Sequence, residues 1–160
     1  MSSASPSPTD PAEDGVTRAL ACWVATVARG AVTDRARRCA RHAVLDWTGV
    51  TLAGTAEPLV AALIGDAMAN GESGSSPLMG RAERLSPAFA AVVNGAASHA
   101  LDFDEVNARV HGHPTVAILP AILSAGQARG ASGADLLDAL VVGTEVACAV
   151  GLMLGPAHYA

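Results

Sequence analysis

Residues 132–151, with the sequence SGADLLDALVVGTEVACAVG, give the clearest indication of the fold class. Its apolar residues recur at helical spacing, and it lacks the alternating pattern that is typical of a half-buried strand. Ser132 is a good N-cap, and Asp135 stands where a capping box places its acidic residue. Gly143 and Gly151 within this stretch predict close contacts with neighbouring helices. The stretch therefore predicts a long packed helix that ends near residue 155.

The same helical periodicity continues over almost the whole chain, so the sequence predicts an all-α fold resembling part of a helical bundle. Start and stop signals place the other helices at residues 10–30 or 15–30, 33–54, 58–70, 86–100 and 114–130. The last of these contains Pro120, which predicts an interruption or a kink. The Gly- and Ser-rich segment 71–86 is expected to be a loop or a short extended piece. Residues 1–14 are expected to be a disordered leader, and residues 15–160 to be one helical domain.

The composition limits the possible functions. Hydrophobic residues make up 51% of the chain but aromatic residues only 3%, so we expect a core of small aliphatic side chains. The charged fraction of 16% is low, which favours an oligomer or a piece of a larger protein. All ten basic residues are Arg, which excludes catalysis by a lysine of this chain. The net charge of −5 argues against nucleic-acid binding.

The cysteines bear on the redox environment of the protein, and the uncharged stretches on whether it crosses a membrane. Cys22, Cys39 and Cys148 are odd in number and lie far apart, so we expect buried free thiols in a reducing cytoplasm. Residues 110–128 and 146–160 are uncharged if their histidines are neutral. Both contain Pro and His, so buried helices of a large soluble protein explain them better than membrane spans.

The candidate functional residues lie in one short loop between two apolar runs. Asp102, Asp104, His111 and His113 fall within twelve residues, and Pro114 then opens the next helix. A helix N terminus offers free N–H groups and a partial positive charge, which suit a bound carboxylate. A histidine beside it can contact that carboxylate or exchange a proton with it.

Two other interpretations of this loop remain open. Carboxylates and imidazoles can cap helix ends without doing chemistry. His111-x-His113 together with Asp102 or Asp104 can supply three metal ligands, although His-x-His pairs usually lie on strands. A Ser/His/Asp triad has no support, because no G-x-S-x-G motif is present. His99 is expected to face a neighbouring helix in a structural role.

Four consecutive stretches resemble signatures of the MmgE/PrpD family. They are ARRCARHAVLDWTGVTLAGT at 36–55, AAVVNGAASHALDFDEV at 90–106, GHPTVAILPAILSAGQ at 112–127 and SGADLLDALVVGTEVACAVG at 132–151. The resemblance covers about residues 17–160. It implies part of a large helical domain, here without the family's lid domain, and a homodimer with no metal or organic cofactor. It also implies a small di- or tricarboxylate substrate and chemistry at a C–H bond next to a carboxylate.

The resemblance also implies roles for particular residues. Asp102, the first Asp of DFD, and His113, of HP, match the family's active-site positions and would be catalytic. Asp104, His111 and Thr115 are our candidates for binding substrate, on their position in the loop and at the helix start and not on the resemblance. The decarboxylase branch has a Thr where this chain has Val106, and the GHP form is more similar to the dehydratase and epimerase branches. We therefore expect a 2-methylcitrate dehydratase-like lyase or isomerase.

Family members are much longer than 160 residues, so we expect a fragment or a truncated gene product that is inactive alone. Two alternatives remain. One is a non-catalytic helical module that dimerises through its apolar face. The other is a metal-binding hydrolase domain.

Overall fold

The computed structural model describes residues 15–27 and 31–155, which fall into two compact units divided after Ala31. In the first unit, helix α1 spans Gly15–Val27, with none of its residues buried. This beginning agrees with the second of the two starts predicted for the first helix. The predicted leader (residues 1–14) and the predicted stop at Gly30 lie outside the described residues.

The second unit is helical, as the sequence predicts. Its elements are α2 (Asp34–Gly54), α3 (Pro58–Ala69), β1 (Ser76–Pro77), β2 (Arg84–Leu85), α4 (Pro87–His99), α5 (Pro114–Arg129) and α6 (Gly133–Leu154). The two short strands pair antiparallel within the predicted loop segment. Helix α4 packs against α2, α3 and α5, and α5 packs in turn against α6. The loop between α4 and α5 therefore begins at the end of a helix that packs against three others.

The helix ends follow the predicted capping residues. The side chain of Thr33 accepts a hydrogen bond from the N–H of Ala36 at 3.2 Å, which caps α2. Ser132 and Asp135 form the reciprocal bonds of a capping box at the start of α6. Gly130 ends α5 in the left-handed conformation, with φ at 66°, which costs glycine little. Each cap satisfies backbone groups that the helix end would otherwise leave unpaired.

Helix α5 is not interrupted at Pro120, contrary to one of the two predicted outcomes. The helix runs from Pro114 to Arg129 with Pro120 buried inside it. Proline has no N–H to donate to the carbonyl of Val116 one turn earlier. That carbonyl faces Gly95 of α4, where a Cβ atom would stand 3.0 Å from its oxygen. The absence of a side chain at Gly95 lets the two helices approach closely at the proline.

The two glycines of α6 have different neighbours. A Cβ atom on Gly143 would lie 2.9 Å from Ile118 of α5, so the predicted helix contact is confirmed. A Cβ atom on Gly151 would instead meet the backbone of Arg109 and Val110, at 2.8 and 2.9 Å. Gly151 therefore packs against the loop that carries the candidate site, not against a helix.

The predicted burial of cysteines is wrong for two of the three. Cys148 is buried, whereas Cys22 and Cys39 are exposed. Trp47 and Val50 are buried on the same helix as the exposed Cys39. Ala40, which lies seven residues and almost two full turns before Trp47, is buried on that face of α2 instead of Cys39. Helix α6 is long and apolar enough to cross a membrane, and 22% of its most apolar window is buried. One such helix is weak evidence for a membrane span, because core helices of soluble proteins pass the same test of length and composition.

A bidentate ion pair joins α2 to α6. Arg37 donates from Nε and Nη2 to the two carboxylate oxygens of Asp138, at 2.7 and 2.9 Å. The hydrogen bond from Arg37 lowers the pKa of Asp138 below its ordinary value. A carboxylate with a lowered pKa stabilises the fold above its unfolded pKa, and this contribution is lost as the pH falls through the folded value.

We therefore expect the stability of the wild type to fall more steeply below about pH 4 than that of Asp138→Asn, because only the wild type loses this charge. Urea unfolding at pH 7, 4 and 3 would measure the difference. Asp46→Asn, at an exposed position of α2, is the control and should follow the wild type. Parallel acid profiles for the wild type and Asp138→Asn would contradict the prediction.

Candidate active site

The loop between α4 and α5 folds back on itself. The N–H of Asn107 donates to the carbonyl of Gly112 at 2.9 Å, which closes the loop as an isolated antiparallel bridge. Asp102 and His111 adopt positive φ angles of 55° and 53°. Aspartate tolerates this region better than most residues with a side chain. The chain changes direction at Asp102 and at His111, and these changes determine which side chains of the loop point towards the end of α4.

The centre of the site is the carboxylate of Asp104, whose side chain is 2% exposed. Nδ1 of His99 lies 3.0 Å from its Oδ1 and 3.2 Å from its Oδ2, with hydrogen-bond geometry. Nδ1 of His113 lies 2.8 Å from Oδ2, but this contact lacks the direction of a hydrogen bond. The two rings have centroids 4.8 Å apart. A buried carboxylate requires polar partners, and these two imidazoles supply them.

Asp102 lies at the outer edge of this cluster. Its side chain is 77% exposed, and its Oδ1 stands 3.8 Å from Nε2 of His113 and 4.0 Å from Nδ1 of His99. The ring of His113 therefore lies between a buried carboxylate at Nδ1 and an exposed one near Nε2. This arrangement favours a proton on Nδ1 and leaves Nε2 able to accept or donate a proton at the surface.

Glu105 points away from this cluster and binds the start of α5. Its Oε1 accepts hydrogen bonds from the N–H of Thr115, at 3.1 Å, and from the Thr115 hydroxyl. Burial raises the pKa of Glu105 above its ordinary value, although the hydrogen bonds from Thr115 act in the opposite direction. The helix N terminus that the sequence offers to a substrate carboxylate therefore already holds a carboxylate of this chain.

A cavity of about 420 Å³ opens on the far side of Glu105, between α2, the start of α5 and α6. Polar side chains from the three helices and the loop line it, among them Arg35, Glu105, Asn107, Thr115 and Glu145. None of the four Asp/His cluster residues lines this cavity.

The structure brings together three of the five predicted site residues: Asp102, Asp104 and His113. Thr115 is buried against Glu105, and the exposed His111 is not among the residues whose ligand atoms cluster. The sequence interpretation missed His99, which replaces His111 in the cluster, so the metal alternative based on His111-x-His113 is not the grouping observed. The available signal was its place in the last turn of α4, from which a side chain can reach the following loop.

The chain matches the model of the MmgE/PrpD N-terminal domain over residues 18–160. Among curated proteins it is similar to the cis-aconitate decarboxylases of Mus musculus, at 35% identity over 72% of this chain, and of Homo sapiens, at 32% over 82%. The Aspergillus terreus cis-aconitate decarboxylase is 25% identical over 88% of the chain. The matched segments cover 24%, 28% and 30% of these three relatives, so the chain spans less than a third of their length. The family thus includes lyases that act on carboxylates, and this chain belongs to it, as an MmgE/PrpD N-terminal domain.

Proposed function

We propose that this chain supplies one wall of the active site of a lyase or isomerase that acts on a small di- or tricarboxylate without a cofactor. The observation that carries the proposal is the placement of His113 between the buried Asp104 and the exposed Asp102. The names of the curated relatives support the substrate class, because cis-aconitate is a tricarboxylate. Within that class we propose a 2-methylcitrate dehydratase-like reaction.

In this proposal, Asp104 positions His113. The negative charge 2.8 Å from Nδ1 favours the tautomer with its proton there, so the lone pair of Nε2 faces the exposed side of the ring. Nε2 can then remove a proton from the carbon next to a substrate carboxylate. Asp104 also stabilises the imidazolium that this step produces, since it compensates the new positive charge.

Dehydration requires a second proton transfer. The leaving hydroxyl must be protonated as the C–O bond breaks, and Asp102 is the exposed carboxyl group beside Nε2. Asp102 must be protonated to serve as that acid. An epimerase has no leaving group, but it must return a proton to the face of the carbon opposite the base, where Asp102 does not lie. The loop offers these groups to one face of the substrate, and a reaction with acid and base on opposite faces needs further groups.

An anionic substrate also needs positive charge in a site that contains two Asp residues. Protonated His99, held at Asp104, would supply it beside the base. The exposed His111 would bind the outer substrate carboxylate. Thr115 would contact substrate only if Glu105 first released its N–H and hydroxyl.

Substrate binding can be tested on the 160-residue chain itself by NMR of its histidine side chains. We expect 2-methylcitrate and cis-aconitate to shift the ring signals of His99 and His113 in a saturable manner, without turnover. His42, an exposed histidine on α2, is the internal control and should not move. Equal shifts at His42, or no shift at millimolar ligand, would contradict the proposal.

The alternative function is a non-catalytic helical module that dimerises. The observation that favours it is the run of exposed apolar side chains at the end of α6, Leu152, Met153 and Leu154, each more than half exposed. In this alternative the two histidines have only the structural role of partners to a buried carboxylate. It assigns no role to Nε2 of His113 beside the exposed Asp102, so we prefer the enzymatic proposal.

A further inference from the structure

We propose that His99, Asp102, Asp104 and His113 form a binding site for one divalent transition-metal ion of the Zn²⁺ class, and that the bound ion inhibits the enzyme. The four residues come from the last turn of α4 and from the loop that follows it. Each offers one ligand atom, and these four atoms all lie within 4.8 Å of one another. Metal binding stands on this geometry alone, whereas the inhibition rests on the proposed function.

The spacing of the donor atoms is close to that of a coordination sphere. With bonds of about 2.0–2.1 Å, neighbouring ligands of a tetrahedral zinc ion stand about 3.3 Å apart. Asp104 lies 3.0 Å from Nδ1 of His99 and 2.8 Å from Nδ1 of His113. Asp102 is farther away: its Oδ1 lies 4.0 Å from Nδ1 of His99, and its exposed carboxylate can rotate inward. Binding would therefore require side-chain adjustment of about an ångström rather than movement of the backbone.

The hydrogen bonding within the cluster is incomplete. Nδ1 of His113 is inaccessible to solvent and has no hydrogen-bond partner, although a carboxylate oxygen stands 2.8 Å away. Buried polar atoms normally have a partner, so this nitrogen requires an explanation. A metal ion would accept the nitrogen lone pair and draw the carboxylate of Asp104 to the same centre.

The chemistry of the donors selects the class of ion. Two imidazoles with two carboxylates suit zinc and its neighbours, whereas magnesium and calcium prefer oxygen ligands alone. The two carboxylates also balance the charge of a divalent ion.

The same contacts explain why the ion would inhibit. Coordination through Nδ1 of His113 moves the ring proton to Nε2, so Nε2 no longer has a lone pair that can accept a proton from substrate. A metal-bound Asp102 likewise cannot protonate a leaving group. Because Asp102 is exposed, the ion can enter and leave from the surface. A reversible inhibitory site follows, occupied when free metal rises and emptied by a chelator.

Binding can be measured on the chelator-treated 160-residue chain with both exposed thiols removed, as Cys22→Ser with Cys39→Ser. We expect Zn²⁺ to bind one site per chain in calorimetry, and Co²⁺ to give the visible absorption of a site with nitrogen and oxygen ligands. Asp102→Asn keeps the size of the side chain and tolerates the positive φ of this position. It and His99→Gln should each weaken binding at least about tenfold, while the control His42→Gln should not.

Three results would overturn the proposal. The site does not exist if Zn²⁺ shows no saturable binding, or if Asp102→Asn and His99→Gln bind as tightly as the parent while circular dichroism shows an intact fold. The proposed inhibition is wrong if Zn²⁺, buffered at free concentrations above its measured dissociation constant, leaves turnover of the native protein unchanged. The binding measurement contains no substrate, so its result does not depend on the proposed reaction.

Discussion

Replacing His113 with Ala should reduce turnover by the native protein by about 10²–10⁴-fold, the usual contribution of a general base. The ring is the only one of the clustered groups with a second nitrogen facing an exposed carboxylate while the first faces a buried one. Loss of the ring removes the proton acceptor, so kcat should fall more than the affinity for substrate. The measurement is the formation or loss of the enoate chromophore with 2-methylcitrate as substrate.

His42→Ala is the matched control for this experiment, because it removes an exposed histidine from α2 and should leave turnover unchanged. Circular dichroism and thermal unfolding would establish that His113→Ala is folded. If folded His113→Ala retained the kcat of the wild type, the catalytic proposal would fail. The dimerising helical module would then become the better account of the chain.

The helices of this chain could be predicted because their signals are local. Thr33, Ser86 and Ser132 each cap the helix that follows them, since a hydroxyl in that position satisfies N–H groups of the first turn whatever the rest of the fold does. The orientation of each helix is not local. Cys39 belongs to an apolar stretch but is exposed, because the face of α2 that turns inward depends on where α4 and α6 pack.

The candidate site could be predicted only in part, for a similar reason. The sequence shows that Asp102, Asp104 and His113 are near one another along the chain, but not which of them share a surface. Positive φ angles at Asp102 and His111 turn the loop so that His99 joins the cluster. Spacing also gave no sign that Glu105 would occupy the start of α5, because this contact requires the loop to close back on the helix.

Replacing Gly54 with Ala should destabilise the fold by about 1–3 kcal/mol, the usual cost of an added group in a tightly packed site. Gly54 is the last residue of α2, and a Cβ atom there would overlap the carbonyl oxygen of Ala97 on α4. The obstacle is backbone rather than a flexible side chain, so α2 and α4 must separate to relieve it. For a chain of this length the midpoint of thermal unfolding should fall by about 2–4 °C for each kcal/mol.

Gly49→Ala is the matched control, because it adds the same methyl group to the same helix where nothing lies within 4 Å. It should stabilise the fold by about 0.5–1 kcal/mol, since alanine loses less backbone entropy than glycine in a helix. If the two variants change the free energy of unfolding with opposite signs, the effect at Gly54 comes from the close approach of α2 and α4 and not from helix propensity. Ala97 lies two residues before His99, so Gly54→Ala should also disturb the contact between His99 and Asp104 and weaken Zn²⁺ binding. If Gly54→Ala and Gly49→Ala both raised the unfolding temperature, the close approach of α2 and α4 would be wrong. The position of the end of α4, which carries His99, would then be wrong as well.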